Sequence, residues 1–218
     1  MVSRSFLITT LVGPAFVLTS LLLSPAASAQ EVRVEQERMT RAMEDYFEGE
    51  RAAGYVFFGQ GLVSLGTSAF LFTRHDDMSR GAAYPVVVVG ALEATVGLAL
   101  MIRTSKQIAE RRKQIATESA KYRQEEQKRM NRVIGQFVFL EIVEAAAIVT
   151  GIGLVTGGEL NDKPFLTGIG AGLAVQGAAV MGLDFLAERR GQRYLKAIVD
   201  FQPTVARDGF GLAVRGAF

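Results

Sequence analysis

The stretch YVFFGQGLVSLGTSAFLF, residues 55–72, runs eighteen residues without a charge. As an α-helix it would extend about 27 Å, close to the roughly 30 Å of a bilayer's hydrocarbon layer. Three further blocks share its character. Block 85–102 carries one charge, Glu93; block 137–157 carries two, Glu141 and Glu144; block 166–185 is free of charge as far as Leu183. One such block suits the buried helix of a soluble protein. Four in a chain of 218 residues do not, because a fold this small has no outer layer to surround four helices that are apolar all round. The blocks therefore predict an all-α integral membrane four-helix bundle.

The links decide the pairing. Segments 73–84 and 158–165 are short and hold or adjoin turn formers: Gly81 and Pro85 in one, Asn161, Asp162 and Pro164 in the other. Short links make antiparallel neighbours, so 55–102 and 137–185 each predict a helical hairpin. Segment 103–136 is long, polar and free of Pro, and Met101, Ile108, Ile115 and Tyr122 recur in it at sevens. That thin apolar stripe predicts a helix continuing well past the membrane. Segment 30–54 reads likewise, with Met39, Met43 and Phe47 at helical spacing among charges. Its seven acids against four Arg give −3, while 103–136 has ten Lys and Arg against four Glu, +6. These helices are expected to gather into a polar stalk, with 186–218 as a charged helix end and tail.

The two hairpins resemble one another. Gly90, Gly97 and Met101 match Gly170, Gly177 and Met181 at an offset of 80, and Ala109-Glu110-Arg111-Arg112 returns as Ala187-Glu188-Arg189-Arg190. Gly59-Gln60 likewise matches Gly135-Gln136. An internal repeat of two helices keeps its direction across the membrane and gives a pseudo-symmetric bundle. Lipid offers no hydrophobic drive between helices, so close packing at small residues must supply it. Gly153 with Gly157, and Gly168 with Gly172, form G-x-x-x-G pairs expected to join blocks 137–157 and 166–185, or alternatively to mediate dimers.

The first 29 residues have the parts of a secretory signal peptide. Arg4 precedes an apolar run over 6–23, and Ala27-Ser28-Ala29 supplies a small-residue exit that would leave Gln30 as the new N-terminus. A retained anchor is the alternative. Export places the stalk outside the cytoplasm, in a bacterial-type inner membrane. The positive-inside bias points the other way, because the opposite loops carry only Arg74, Arg80 and Lys163 as basic residues. At the far end, Phe210, Leu212, Val214 and Phe218 alternate after Arg207-Asp208-Gly209, with 197–205 as a candidate partner strand. An alternating end closing on Phe resembles the terminal signal of outer-membrane β-barrel proteins, which makes the outer membrane the alternative destination. The helical blocks exclude a barrel, so a short C-terminal β-hairpin is the expected form.

Composition narrows the function. A hydrophobic content of 49% excludes a disordered chain. Zero Cys excludes disulfides and thiolate chemistry, and a single His, His75, argues against a histidine metal site or a Ser-His-Asp triad. A net charge of +2 gives no footprint for nucleic acid. No cofactor, metal or catalytic residue is expected, and the chain reads as non-enzymatic.

The chemistry that remains is carboxylic. Glu93 sits mid-block, and Glu141 and Glu144 share a helix face. An acid inside a membrane is paired, neutral or turned to a polar cavity. No Lys or Arg lies deep in any block, and Gln60, Gln176, Thr95 and Thr150 are other polar side chains there. The three glutamates form a candidate proton or cation site; the plainer reading has them hydrogen-bonding between helices to fix register. Asp184 and Glu188, beside Arg189, Arg190 and Arg193, read as a helix-end ion network. Two functions follow as expectations. One is a structural or assembly role in the cell envelope, with the lipid bilayer and a homo-oligomer or other envelope proteins as partners. The alternative is a small proton or cation carrier or channel.

Overall fold

The computed structural model of the chain describes residues 25–201. They form α1 (Pro25–Thr73), α2 (Asp77–Thr117), α3 (Ser119–Leu160) and α4 (Pro164–Asp200), and among the described residues there is no strand. Each helix is long and apolar enough to cross a membrane. Only 22%, 22%, 11% and 28% of the most apolar windows, in chain order, are buried. Val63, Phe70, Val149 and Val175 are each more than 60% exposed along them. A surface this greasy is unsuited to water and suited to lipid, so the four helices make this a membrane protein.

Helix α1 packs along α2 and α3 along α4, and the two pairs meet chiefly through α2 and α4, while α2 and α3 touch little. Two halves of the bundle are built on opposite rules. In the polar half, large apolar side chains turn inward: Met39, Met43 and Phe47 of α1, Ile115 of α2, Tyr122 and Met130 of α3, and Tyr194 and Ile198 of α4 form one core. The stripe read from the sequence thus supplies the core of this half. In the apolar half the large side chains turn outward and the contacts run through glycine. A β-carbon on Gly61 would strike the Gly90 carbonyl oxygen at 2.6 Å, and one on Gly151 the Gly170 carbonyl oxygen at the same distance. Gly97 sits equally close to the Gly54 carbonyl.

The glycine pairs expected between α3 and α4 lie elsewhere. Gly168 and Gly172 pack on α2, against the Met78 and Ala82 carbonyls, and among the described residues nothing from another helix approaches Gly153 or Gly157. The α3–α4 contact uses Gly151 and Gly158, one heptad apart and so on one face, against Gly170 and Thr167. Gly153 and Gly157 belong to the opposite, open face.

Three boundaries depart from the sequence reading. Gly81 and Pro85, expected near a turn, lie inside α2. The helix starts earlier because the Asp76 carboxylate caps it, accepting from the Ser79 N–H at 2.7 Å. Gly81 is needed there because the Phe165 carbonyl sits where its side chain would be. The polar segment 103–136 reverses direction at one non-helical residue, Glu118, so that Arg111 of α2 reaches Glu126 of α3 at 3.5 Å. No Gly or Pro marks that turn. Finally, 197–200, read as the start of a strand, completes α4 instead. Arg123 closes the helix end by donating to the Val199 carbonyl at 2.7 Å, and Phe201 is buried in the core. The rest of the expected β-hairpin, and the signal segment up to residue 24, lie outside the described residues. The α3–α4 turn is formed as read, with Asp162 at φ 52° and Pro164 opening α4.

Gly168→Val is expected to destabilise the bundle by about 1–3 kcal/mol, because a side chain there meets α2 backbone that cannot give way. Gly153→Val should leave stability within about 0.5 kcal/mol. Thermal unfolding of both variants in detergent checks the difference.

Candidate functional site

The glycine contacts draw α2 against α1 and α4 but leave a gap toward α3. Val89, Leu92 and Val96 of α2 stand across it from Leu140 and Val143 of α3, around a half-open space of about 360 Å³. Two of its lining side chains are glutamates from the apolar blocks. Glu93 is 4% exposed and Glu144 is 7% exposed. Asp184 of α4, also buried, faces Glu144 across the α3–α4 contact. Two facing carboxyls hold together only with a proton or a cation between them.

Neighbouring polar groups satisfy these acids only in part. Gln60 of α1 donates from Nε2 to Glu93 Oε1 at 2.6 Å, and Gln176 of α4 donates to Ser64 Oγ at 3.0 Å. Among the described residues, the buried side-chain polar atoms without a hydrogen-bond partner are Glu93 Oε2, Glu144 Oε2, Glu50 Oε2 and Gln107 Oε1. All four are acceptor oxygens. The last two line a second cavity of about 490 Å³ toward the polar half. It shares Phe57, Val96, Leu140 and Asp184 with the first, so the two are adjoining chambers. The outer one is rimmed by Arg103, Arg129 and Arg190. Arg190 lies over Gly49, whose missing side chain makes room for it, and burial lowers its pKa against the opposing pull of Tyr46 and Glu50.

Of the residues singled out from sequence, Glu93 and Glu144 meet in the inner chamber. Glu141 stands apart from it, facing Glu188 at the partly exposed edge of the α3–α4 contact. Thr95 bonds its own helix at Ala91, and Thr150 is exposed. Asp184 was missed: read as part of an ion network with Arg189, Arg190 and Arg193, it makes no ion pair with them and lies in the chamber. Its spacing from Gly177 and Gln176, seven and eight residues back, was the available signal. Among the described residues no three acids or histidines converge as a metal ion requires.

A second polar cluster, unforeseen in the sequence, ties the polar half together. Glu126 of α3 is fully buried and accepts from Arg129 Nε at 2.9 Å and Nη2 at 2.6 Å, and from the Tyr194 hydroxyl at 3.0 Å. Tyr122 hydrogen-bonds the Tyr194 hydroxyl, and Tyr46 of α1 stacks on the Tyr194 ring at 4.5 Å. Arg129 lies 5.2 Å from the Phe47 ring centroid. Burial disfavours the Arg129 cation, but the Glu126 carboxylate outweighs that and holds its proton more firmly than usual. The charge pairs expected between 30–54 and 103–136 form at the rim, as Glu50–Arg103 at 2.7 Å and Glu44–Arg112. Each is worth about 0–1 kcal/mol, whereas removing one member of the buried Glu126–Arg129 pair costs about 3–5 kcal/mol.

No family model matches this chain, and searches of curated proteins and of solved structures find no match either. The geometry itself carries the functional reading.

Burial first, then nearby Glu126, raise the Tyr122 phenol above its ordinary range, and burial with Tyr122 and Glu126 does the same to Tyr194. A folded-state pKa above the unfolded one gives stability that is complete below the unfolded value, about 10, and lost as pH rises beyond it. Unfolding free energy is therefore expected to fall as pH is raised above about 10. Tyr194→Phe should start less stable by about 1 kcal/mol and decline less steeply, as measured by denaturation at a series of pH values.

Proposed function

We propose that this chain is an exported, non-enzymatic membrane protein that takes up protons or cations at Glu93, Glu144 and Asp184. The observation that carries this reading is the inner chamber. Two glutamates from different helices, each more than nine-tenths buried, line one space and keep an unpartnered oxygen each. Carboxyls serving only to fix helix register would be fully hydrogen-bonded, since an unsatisfied buried acceptor costs about 1–3 kcal/mol. In this reading 1–29 is a signal peptide, and the helices form two tandem hairpins. The polar halves form an extracytoplasmic stalk above a bacterial-type inner membrane. A duplicated origin is supported by equivalent roles: Gly90 and Gly97 of α2 face α1 as Gly170 and Gly177 of α4 face α3. Tight glycine packing on the loop side of Glu93 favours a carrier site over an open channel.

A second reading, a structural or assembly role as a homo-oligomer or with other envelope proteins, is favoured by the Gly153–Gly157 face. No described helix covers it, and small residues are what a membrane helix needs to approach closely.

Glu93→Gln and Glu144→Gln in proteoliposomes separate the two. The uptake reading expects at least a tenfold loss of proton or cation flux with oligomeric state unchanged, whereas loss of assembly alone supports the scaffold. Single cysteines at Ser119 and Asp77, in a chain that has none, are expected to label from opposite compartments, with Ser119 outside. Labelling of both from one side would overturn the bundle's disposition.

A further inference from the structure

The walls of the chamber say what kind of cation it suits. A divalent metal ion is usually held by several carboxylates or histidines converging on one point, and no three acids or histidines converge so among the described residues. The acids of the inner chamber instead stand on separate helices around about 360 Å³ of space lined, apart from Gln176, mainly by aliphatic side chains and Phe57. That volume falls within the range of small-molecule sites, which pair an apolar wall with a few placed polar groups. The unpartnered atoms are acceptors, Glu93 Oε2 and Glu144 Oε2, so the missing partner is a donor. A positively charged donor also neutralises the facing Glu144 and Asp184 carboxylates.

The route points the same way. Of the three arginines rimming the outer chamber, Arg103 and Arg129 are paired with Glu50 and Glu126, while Arg190 makes no ion pair among the described residues and opposes a cation entering from the polar end. Between α2 and α3 the wall is thin: these helices touch little, and Leu92 and Val143 are 61% and 47% exposed on the lipid-facing side. A molecule dissolved in the bilayer with its charge carried on an apolar body can pass there, whereas an inorganic ion cannot.

We infer that the inner chamber between α2 and α3 binds a protonated amphiphilic amine, a primary or secondary ammonium on a small apolar body. Its N–H groups donate to Glu93 and Glu144 while its body lies against Leu92, Val96 and Leu140. This rests on the uptake reading above and names its ligand class. A quaternary ammonium of the same body brings the charge but no donor, and an alcohol brings a donor but no charge; both are weaker ligands.

The test uses the full chain in phosphatidylcholine nanodiscs, whose headgroups offer no N–H, with octylamine as the probe and empty nanodiscs to subtract partitioning. Calorimetric titration is expected to show saturable octylamine binding. Octyltrimethylammonium and octanol should each bind at least tenfold more weakly. Glu93→Gln and Glu144→Gln should each lower octylamine affinity at least tenfold, and Glu159→Gln, in the exposed α3–α4 turn, should not. Because the glutamate variants could fold poorly, Val96→Trp, which fills the chamber and leaves its carboxylates intact, provides a second check and should also abolish binding. Equal affinity for octylamine and octyltrimethylammonium, or octylamine binding unaffected by Val96→Trp, would overturn the proposal. If octylamine fails to bind while the glutamate variants still lose proton flux, the ammonium ligand is wrong and the uptake reading stands. If flux is also unchanged, the uptake reading falls with it.

Discussion

Backbone contact through glycine holds the apolar half of this bundle together, and most of the architecture follows from that constraint. In lipid an outward Leu is as comfortable as an inward one, so burying large side chains gains little. What favours association is dispersion between surfaces brought close, and Gly61, Gly90, Gly151 and Gly170 bring α1 to α2 and α3 to α4 at backbone distance. The large side chains are displaced to the lipid face, which is why so little of each apolar window is buried.

In the polar half the rule inverts. Here Met39, Phe47, Ile115 and Ile198 are buried, and the glycine contacts give way to a core of large side chains. Glu126, Arg129 and Tyr194 then serve a purpose that apolar packing serves poorly. Four helices sliding on aliphatic contacts have many similar registers, while one buried carboxylate accepting three hydrogen bonds has few. A chain that crosses from lipid to water thus uses two kinds of contact in series, one for closeness and one for register.

The chamber arises where these contacts leave space. Glycine faces direct α2 toward α1 and α4, so bulky side chains of α2 and α3 meet across a gap rather than a seam. Glu93 and Glu144 are deep enough to be shielded from both water and lipid, and each retains an oxygen that the surrounding helices leave unmatched. The acids are spread over α2, α3 and α4, so any ligand bridging them ties α3 to α2 where the two helices otherwise touch little.

Much of this was legible in the sequence because it depends on periodicity alone. Eighteen-residue apolar runs give the four spanning helices. The sevenfold stripe through Ile108, Ile115 and Tyr122 gives the polar core, and carboxylates in apolar surroundings mark Glu93 and Glu144 as unusual. Partner choice was not legible, because a helix with glycine on several faces does not state which face meets which neighbour. That is why Gly153 and Gly157, matched by motif, remain open, whereas Gly168 and Gly172 pack on α2. The turn at Glu118 left no mark, since the core residues on either side of it, not a Gly or Pro, bend the chain back. Asp184 reads as a helix-end charge beside arginines until the fold rotates it away from them and against Glu144. The sequence by itself determined how many spanning helices there are and which stretches of them are apolar or polar, because those properties are sums over local residues. Only the tertiary structure decided which glycines touch, where the chain reverses and which acids share a cavity, because those depend on the rotation of each helix about its axis.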